Sequence, residues 1–295
     1  MKFSCLVRLH LAILNWKQGN FKLRSCVFNI VLAESLYIDW NNSFEVLNKA
    51  YDAGLFVLII GPKGTGKTTL VREFAAKTNR KLESVNFSLR TRESHLIGAK
   101  TLESGAIGFE EGILVKSMKE GDVLYLDEIN AAEADVLLRL DEALDDRRQL
   151  VLKESGGELI QASKGWFVIA TINPLTHVGT KELPPQILSR FPIRIRLEYP
   201  PEEIELQIVK KYISGSHDKE LLQAIKLANI LRQAASVEEL YYSPSLRETI
   251  AFGKMLDSSV KPRHAAEIIF ANIYSQWGNV EYQKVNDIIT SMFGN

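Results

Sequence analysis

The run Gly61-Pro62-Lys63-Gly64-Thr65-Gly66-Lys67-Thr68-Thr69 carries the clearest chemical signal in the chain. It satisfies the pattern G-x-x-x-x-G-K-[ST] at every fixed position, directly after the apolar run Leu55–Ile60 and at the start of a helical pattern over Gly66–Thr78. That context gives the pattern its meaning, because a loop between a strand and a helix N-terminus can wrap its N–H groups around a triphosphate. The glycines allow close backbone approach, and the helix dipole adds a favourable field. Lys67 is placed to neutralise the β and γ phosphates, and the Thr68 hydroxyl to ligate Mg²⁺.

Two further apolar runs end in polar residues. Val123-Leu124-Tyr125-Leu126 leads into Asp127 and Glu128. Asp127 is expected near the Mg²⁺, as a ligand or as a partner of one, and Glu128 to accept a proton from an attacking water or to orient it. The second run, Val168–Ile172, leads into Asn173 and Pro174. Ligands of a doubly wound sheet sit beyond the carboxyl ends of its strands, so Asn173 or Thr171 is placed to reach the γ-phosphate or its water. Asn173 is the preferred residue; Asn-Pro also reads as a turn, which is compatible with that role.

These residues need a scaffold. Leu55–Ile60, Val123–Leu126, Trp166–Thr171 and Ile193–Leu197 read as buried strands, and Leu82–Phe87 as a weaker fifth. Helical patterns lie between them, including Gly66–Thr78 and Ala132–Leu144, the latter with Val136, Leu137, Leu140 and Leu144 on one stripe. The expected fold class is therefore α/β, a parallel sheet with helices on both faces. After Tyr199-Pro200-Pro201 the strand signals stop, and 202–213, 218–235, 245–257, 263–276 and 281–292 read as helices. We expect a nucleotide-binding domain over 41–199, a small all-α lid over 200–295, and an N-terminal segment 1–40 that fits neither pattern.

Composition excludes several alternatives. With 295 residues, 46% apolar and 24% charged, and 36 basic against 36 acidic side chains, the chain is not a disordered solvating polymer. The zero balance also weighs against a protein that blankets nucleic acid with positive charge. The longest uncharged stretch, Gly165 to Thr180, is too polar for a membrane span. The leader is interrupted by Arg8 and His10, unlike a secretory signal. Two cysteines, Cys5 and Cys26, do not make a disulfide framework, so the cytoplasm is expected. No histidine pair has metal-ligand spacing, and no repeat or low-complexity segment occurs.

Taken in order, the three motifs resemble those of the AAA+ ATPases: Walker A at 61–69, Walker B at 123–128 and a sensor-1 asparagine at 173. The stretch from His95 to Pro200 is similar, more specifically, to the MoxR/CbbQ/NorQ and dynein-related group. Leu96-Ile97-Gly98, Leu126-Asp127-Glu128-Ile129-Asn130, Leu144-Asp145-Asp146-Arg147-Arg148, Ala170–Pro174 and Leu188-Ser189-Arg190-Phe191-Pro192 carry the likeness.

The resemblance implies ATP rather than GTP, and a ring, most often a hexamer. It implies Arg190 as the arginine finger that reaches a neighbour's nucleotide and Arg247 as sensor 2 on the lid. A protein client to be remodelled and a von Willebrand factor A-type partner follow from the same likeness. Arg147 and Arg148 either face the subunit interface or belong to a charged helix end. The segment Thr101–Glu111 corresponds to a hairpin inserted in helix 2, with Gly105 and Gly108 suited to its turn. Its Ile107 and Phe109 are then exposed near a ring's centre, or else buried as a flap. Leu150–Ile160, around Gly156-Gly157, reads as a second hairpin. Two rival functions are a nucleic-acid motor and a scaffold that binds ATP with little turnover. The leader is either a native N-terminal helix or upstream sequence joined by an early start codon.

Overall fold

A five-stranded parallel sheet carries the ends of all three motifs. The computed structural model describes residues 37–103, 106–174 and 181–294; Cys5, Cys26 and the rest of the leader up to residue 36 lie outside the described residues. The strands are β1 (Val57–Ile60), β2 (Leu82–Asn86), β5 (Val123–Asp127), β8 (Phe167–Ile172) and β9 (Ile193–Arg196). Their order across the sheet is β2-β5-β8-β1-β9, and every pairing is parallel. The α/β expectation is met. β5, β8 and β1 are buried almost throughout, as inner strands covered on both faces should be. β2 alternates between half-buried and exposed positions because it is an edge.

The first strand starts at Val57 rather than Leu55. Gly54 adopts a positive φ of 67°, and the Leu55 N–H turns back to the Ala50 carbonyl at 2.9 Å, closing off helix α1 (Ser43–Asp52) before pairing begins. Helix α2 (Lys67–Lys77) follows β1 and buries Leu70, Val71, Phe74 and Ala75 against the sheet. After β2 come α3 (Glu93–Leu96) and a hairpin of β3 (Gly98–Glu103) and β4 (Ala106–Glu111). Next are α4 (Ile113–Glu120) and, beyond β5, α5 (Ala134–Leu144). The expected stripe of α5 is buried at Val136, Leu137, Leu140 and Leu144.

The two hairpins form, with one correction. Gly108 is not in the turn of the first; it lies within β4, paired with Thr101. Phe109 is half-buried and packs against the main core, so it is not presented to solvent; Leu102, on the other strand, is 74% exposed instead. The register pairs Lys100 with Phe109 and Leu102 with Ile107, so Leu102 and Phe109 share one face of the ribbon; Phe109 lies nearer the base, against the core, and Leu102 nearer the turn. The Ile107 side chain and Gly105 lie outside the described residues. In the second hairpin β6 (Gln149–Leu152) pairs with β7 (Glu158–Gln161), and Gly156 and Gly157 supply the positive φ angles of its turn.

Beyond α6 (Pro185–Ser189) and β9, the chain is helical: α7 (Glu202–Lys210), α8 (Asp218–Ser236), α9 (Leu246–Asp257), α10 (Pro262–Ala266) and α11 (Asn279–Phe293). The expected single helix over 263–276 is not continuous: α10 passes into π-type winding at Glu267–Ala271 and 3₁₀ winding at Asn272–Trp277. Ala265, Ala266, Phe270, Ala271 and Tyr274 are all buried along it. Two apolar cores result. One runs from Leu47 to Leu197 around the sheet, the other from Val209 to Ile289 among the helices.

Candidate nucleotide-binding site

The phosphate loop joins the end of β1 to α2, and its glycines are required twice over. Gly66 caps α2 with φ 93° and Gly64 has φ 71°, conformations that cost an L-residue about 1 kcal/mol or more. A Cβ on Gly64 would also meet the Ser245 side chain at 2.4 Å, and one on Gly61 the Leu197 carbonyl oxygen at 2.4 Å. The loop is therefore pressed against both the end of β9 and the start of α9, which is how it comes to face the helical region.

Lys67 is buried and donates to the carbonyls of Gly61 and Pro62, at 2.6 and 2.8 Å, and to Asn173 Oδ1 at 2.9 Å. Burial pushes its pKa down to about 8, with Arg247 and Lys63 acting in the same direction and Asp127 and Glu128 opposing. Asn173 in turn donates from Nδ2 to Glu128 Oε1 at 2.9 Å, and its own carbonyl accepts from Asn130 Nδ2. One amide thus spans the candidate phosphate-binding cation and the candidate general base, although Lys67 and Asn173 are far apart in sequence.

Glu128 reaches this position through a left-handed residue, φ 56°, that turns the chain out of β5 into the 3₁₀ turn Ile129–Ala131. Its N–H donates to Thr171 Oγ1 at 3.0 Å, and that hydroxyl donates to Asp127 Oδ1 at 2.6 Å. The strained turn is held by a residue of the neighbouring strand. Thr171 therefore positions both acids from behind rather than reaching into the cleft, and Asn173 is the strand-end residue that lines it. Tyr125 adds a bond that sequence reasoning missed: its hydroxyl donates to Asp127 Oδ1 at 2.8 Å and lies 3.1 Å from Thr68 Oγ1. Burial pushes this phenol well above the usual tyrosine range.

These groups line one wall of a cleft of about 640 Å³. Gly64, Thr65, Gly66, Lys67, Thr68, Thr69, Lys63, Asp127, Glu128, Asn173 and Arg247 all border it; Gly61 and Pro62 support it through their carbonyls. The opposite wall is apolar and aromatic. Tyr37, Ile38 and Trp40 approach from before α1, Ile208 and Tyr212 from the end of α7, and Leu246, Ile250 and Ala251 from α9. A polar half that carries the glycine-rich loop and an apolar half suited to a flat base face each other, the usual layout of a small-ligand cleft. No short motif announces the apolar half, because three separate segments assemble it. Arg247 is fixed at the head of α9, where its N–H donates to Ser245 Oγ within a Ser245/Glu248 capping box.

Arg190 does not line this cleft. It sits at the C-terminal end of α6, paired with Asp141 at 2.8 Å and Asp145 at 3.4 Å, and these acids raise its pKa further. It borders a smaller cleft of about 170 Å³ with Phe56, Asp145, Arg148 and Pro192. Arg147 is exposed and pairs with Asp145. Arg148 bends back to the Gly54 carbonyl and stacks over Phe56, so it is anchored in its own chain.

Comparison with known proteins follows the same lines. The family described as AAA domain (dynein-related subfamily) matches residues 56–191, the segment from β1 to the end of α6. Uncharacterised proteins of Staphylococcus aureus, from strains NCTC 8325 / PS 47 and USA300, are each 34% identical over 200 residues, spanning 65% of this chain and 75% of theirs. A crystal structure of a proposed ATPase from Cytophaga hutchinsonii ATCC 33406 superimposes with a TM-score of 0.47 at 19% identity, covering 84% of this chain and 88% of that one. The phosphate loop and strand ends described above fall within the matched segment, and the chain belongs to the dynein-related subfamily of AAA domain proteins.

Proposed function

We propose that the protein binds ATP with Mg²⁺ and hydrolyses it in a cytoplasmic ring of its own copies, a hexamer in the nearest analogy, to remodel or activate a protein client in the manner of MoxR/CbbQ-like chaperones. The observation that carries hydrolysis, beyond binding, is the Lys67–Asn173–Glu128 chain. It holds a carboxylate beside the phosphate-binding lysine through a single amide. When a triphosphate takes over Lys67, Asn173 Oδ1 is released to a water and Glu128 is left to accept its proton.

The donor set fits a hard cation. Thr68 and Asp127 offer a hydroxyl and a carboxylate oxygen, and no cluster of three or more His, Cys, Asp or Glu occurs among the described residues. Mg²⁺ is held in this way by one or two protein oxygens together with substrate phosphates and water; when bound it neutralises charge developing on the phosphates. Arg190 lies off its own chain's cleft and is assigned to a neighbour's, which makes each site span two subunits. A von Willebrand factor A-type partner belongs to the same reading. No helix among the described residues is long and apolar enough to cross a membrane.

The experiment is a paired measurement of ATP binding and turnover, with and without DNA or RNA. Glu128→Gln is expected to bind ATP like the wild type and to turn over about 10²- to 10⁴-fold more slowly. Wild-type turnover in that variant would remove Glu128 from the role of base. Strong stimulation of the unmodified protein by nucleic acid would favour a nucleic-acid motor over a protein remodeller.

A further inference from the structure

The two groups assigned to the cation, Thr68 and Asp127, are joined through a third side chain. Tyr125 stands between them. It lies on β5 two residues before Asp127, so both side chains leave the same face of the strand. Its hydroxyl is 2.8 Å from Asp127 Oδ1 and 3.1 Å from Thr68 Oγ1.

The direction of these bonds has a consequence. A phenol has one proton, and here it is donated to Asp127. The bond to Thr68 is then made with the threonine hydroxyl donating. Its proton is turned toward the tyrosine, and its lone pairs are turned away from it. A hydroxyl that ligates a cation must present lone pairs and point its proton elsewhere, so Tyr125 is the place where that proton goes. At the other end, Tyr125 and Thr171 both donate to the same carboxylate oxygen, Oδ1. Among the described residues no donor reaches Oδ2, the oxygen that would face a cation.

We propose that Tyr125 is a positioning residue for the divalent cation, aligning Thr68 and Asp127 through its hydroxyl; this rests on the nucleotide-binding reading above. A phenol that merely fills the core would contribute to stability alone. The alignment role adds a metal dependence that packing cannot supply, because partners behind the ligands typically account for about 10- to 100-fold in metal affinity.

The test uses the full chain and Mn²⁺ as the probe. Mn²⁺ binding is followed by electron paramagnetic resonance with a non-hydrolysable ATP analogue present, and analogue binding is measured separately in EDTA. In Tyr125→Phe, the Mn²⁺ half-saturation is expected to rise about 10- to 100-fold, while analogue affinity in EDTA stays at the wild-type value. Superimposable Mn²⁺ titrations overturn the proposal, as does a lowered melting temperature with an unchanged titration. If Tyr125→Phe does not fold, Tyr125→Leu takes its place, since leucine already occupies the flanking positions of the strand. Wild-type protein that binds no analogue with or without metal overturns the nucleotide reading and this proposal together. Wild-type binding with an unaltered variant titration overturns the proposal alone.

Discussion

Two buried cations in this molecule have opposite surroundings. Lys67 and Arg232 are almost equally hidden, 7% and 8% exposed. Arg232 is saturated by its own chain. It forms a bidentate pair with Glu205 at 2.7 and 3.0 Å and donates to the Pro244 carbonyl and Asn229. The Tyr199 ring lies 4.1 Å from its guanidinium carbon. Thr249 completes Glu205 from α9. Lys67 has neutral partners only, two carbonyls and an amide oxygen. A buried charge with a carboxylate against it is finished and ties helices together. One with neutral partners alone retains attraction for an anion. Burial does not distinguish structure from function here; the charge of the contacting atoms does.

The comparison breaks most readily at Arg232. Arg232→Met leaves Glu205 buried and unpaired and is expected to cost about 3–5 kcal/mol of stability, read from denaturant unfolding. A loss under about 1 kcal/mol would mean that the pair is not what joins α7, α8 and α9. Lys67→Ala should behave in the opposite way. Its triphosphate affinity is expected to fall by about 1.5–3 kcal/mol, or roughly 10- to 100-fold, for the lost charged hydrogen bonds. Its stability should stay within about 1 kcal/mol of the wild type, because removing the lysine also removes a desolvation cost. Equal destabilisation by both substitutions would erase the distinction.

The smallest effect is in pH. With its pKa lowered to about 8, Lys67 is charged in folded and unfolded chains alike below that value. Between about 8 and the ordinary lysine value near 10.4 the folded chain binds fewer protons. Stability contributed by this group therefore rises with pH across that window. Triphosphate binding needs the proton back, so affinity should fall about tenfold per pH unit above 8. Calorimetry in buffers of different ionisation enthalpy would detect the proton uptake. Affinity that is flat from pH 8 to 9.5 would show that Lys67 titrates elsewhere.

Legibility from sequence followed the range of the interaction. Strand Val123–Asp127 and helix Lys67–Lys77 lie close to their expected bounds, since apolar runs and a glycine cap are signals within a few residues. The hairpin face was harder to read. Phe109 packs against the core while Leu102 is exposed, although both lie on one face of a short ribbon; distance from the core separates them, and only the packing of the ribbon's base sets that distance. The interrupted helix near 267–277 shows the same limit: its sequence is helical, but the winding changes where the chain packs.

For this protein, the sequence by itself determined the phosphate loop, the acids that end β5, the asparagine that ends β8 and the alternation that builds a parallel sheet. Each depends on backbone conformation or strand-end placement, which local residue types impose. The tertiary structure alone decided that Asn173 joins Lys67 to Glu128, that Tyr125 bridges Thr68 and Asp127, and that Tyr37, Trp40 and Ile250 share a wall. It also decided that Arg190 rests on Asp141 away from its own cleft. Those contacts join residues distant along the chain, and hydrogen-bond geometry of a few tenths of an ångström is set by packing, which no local pattern encodes.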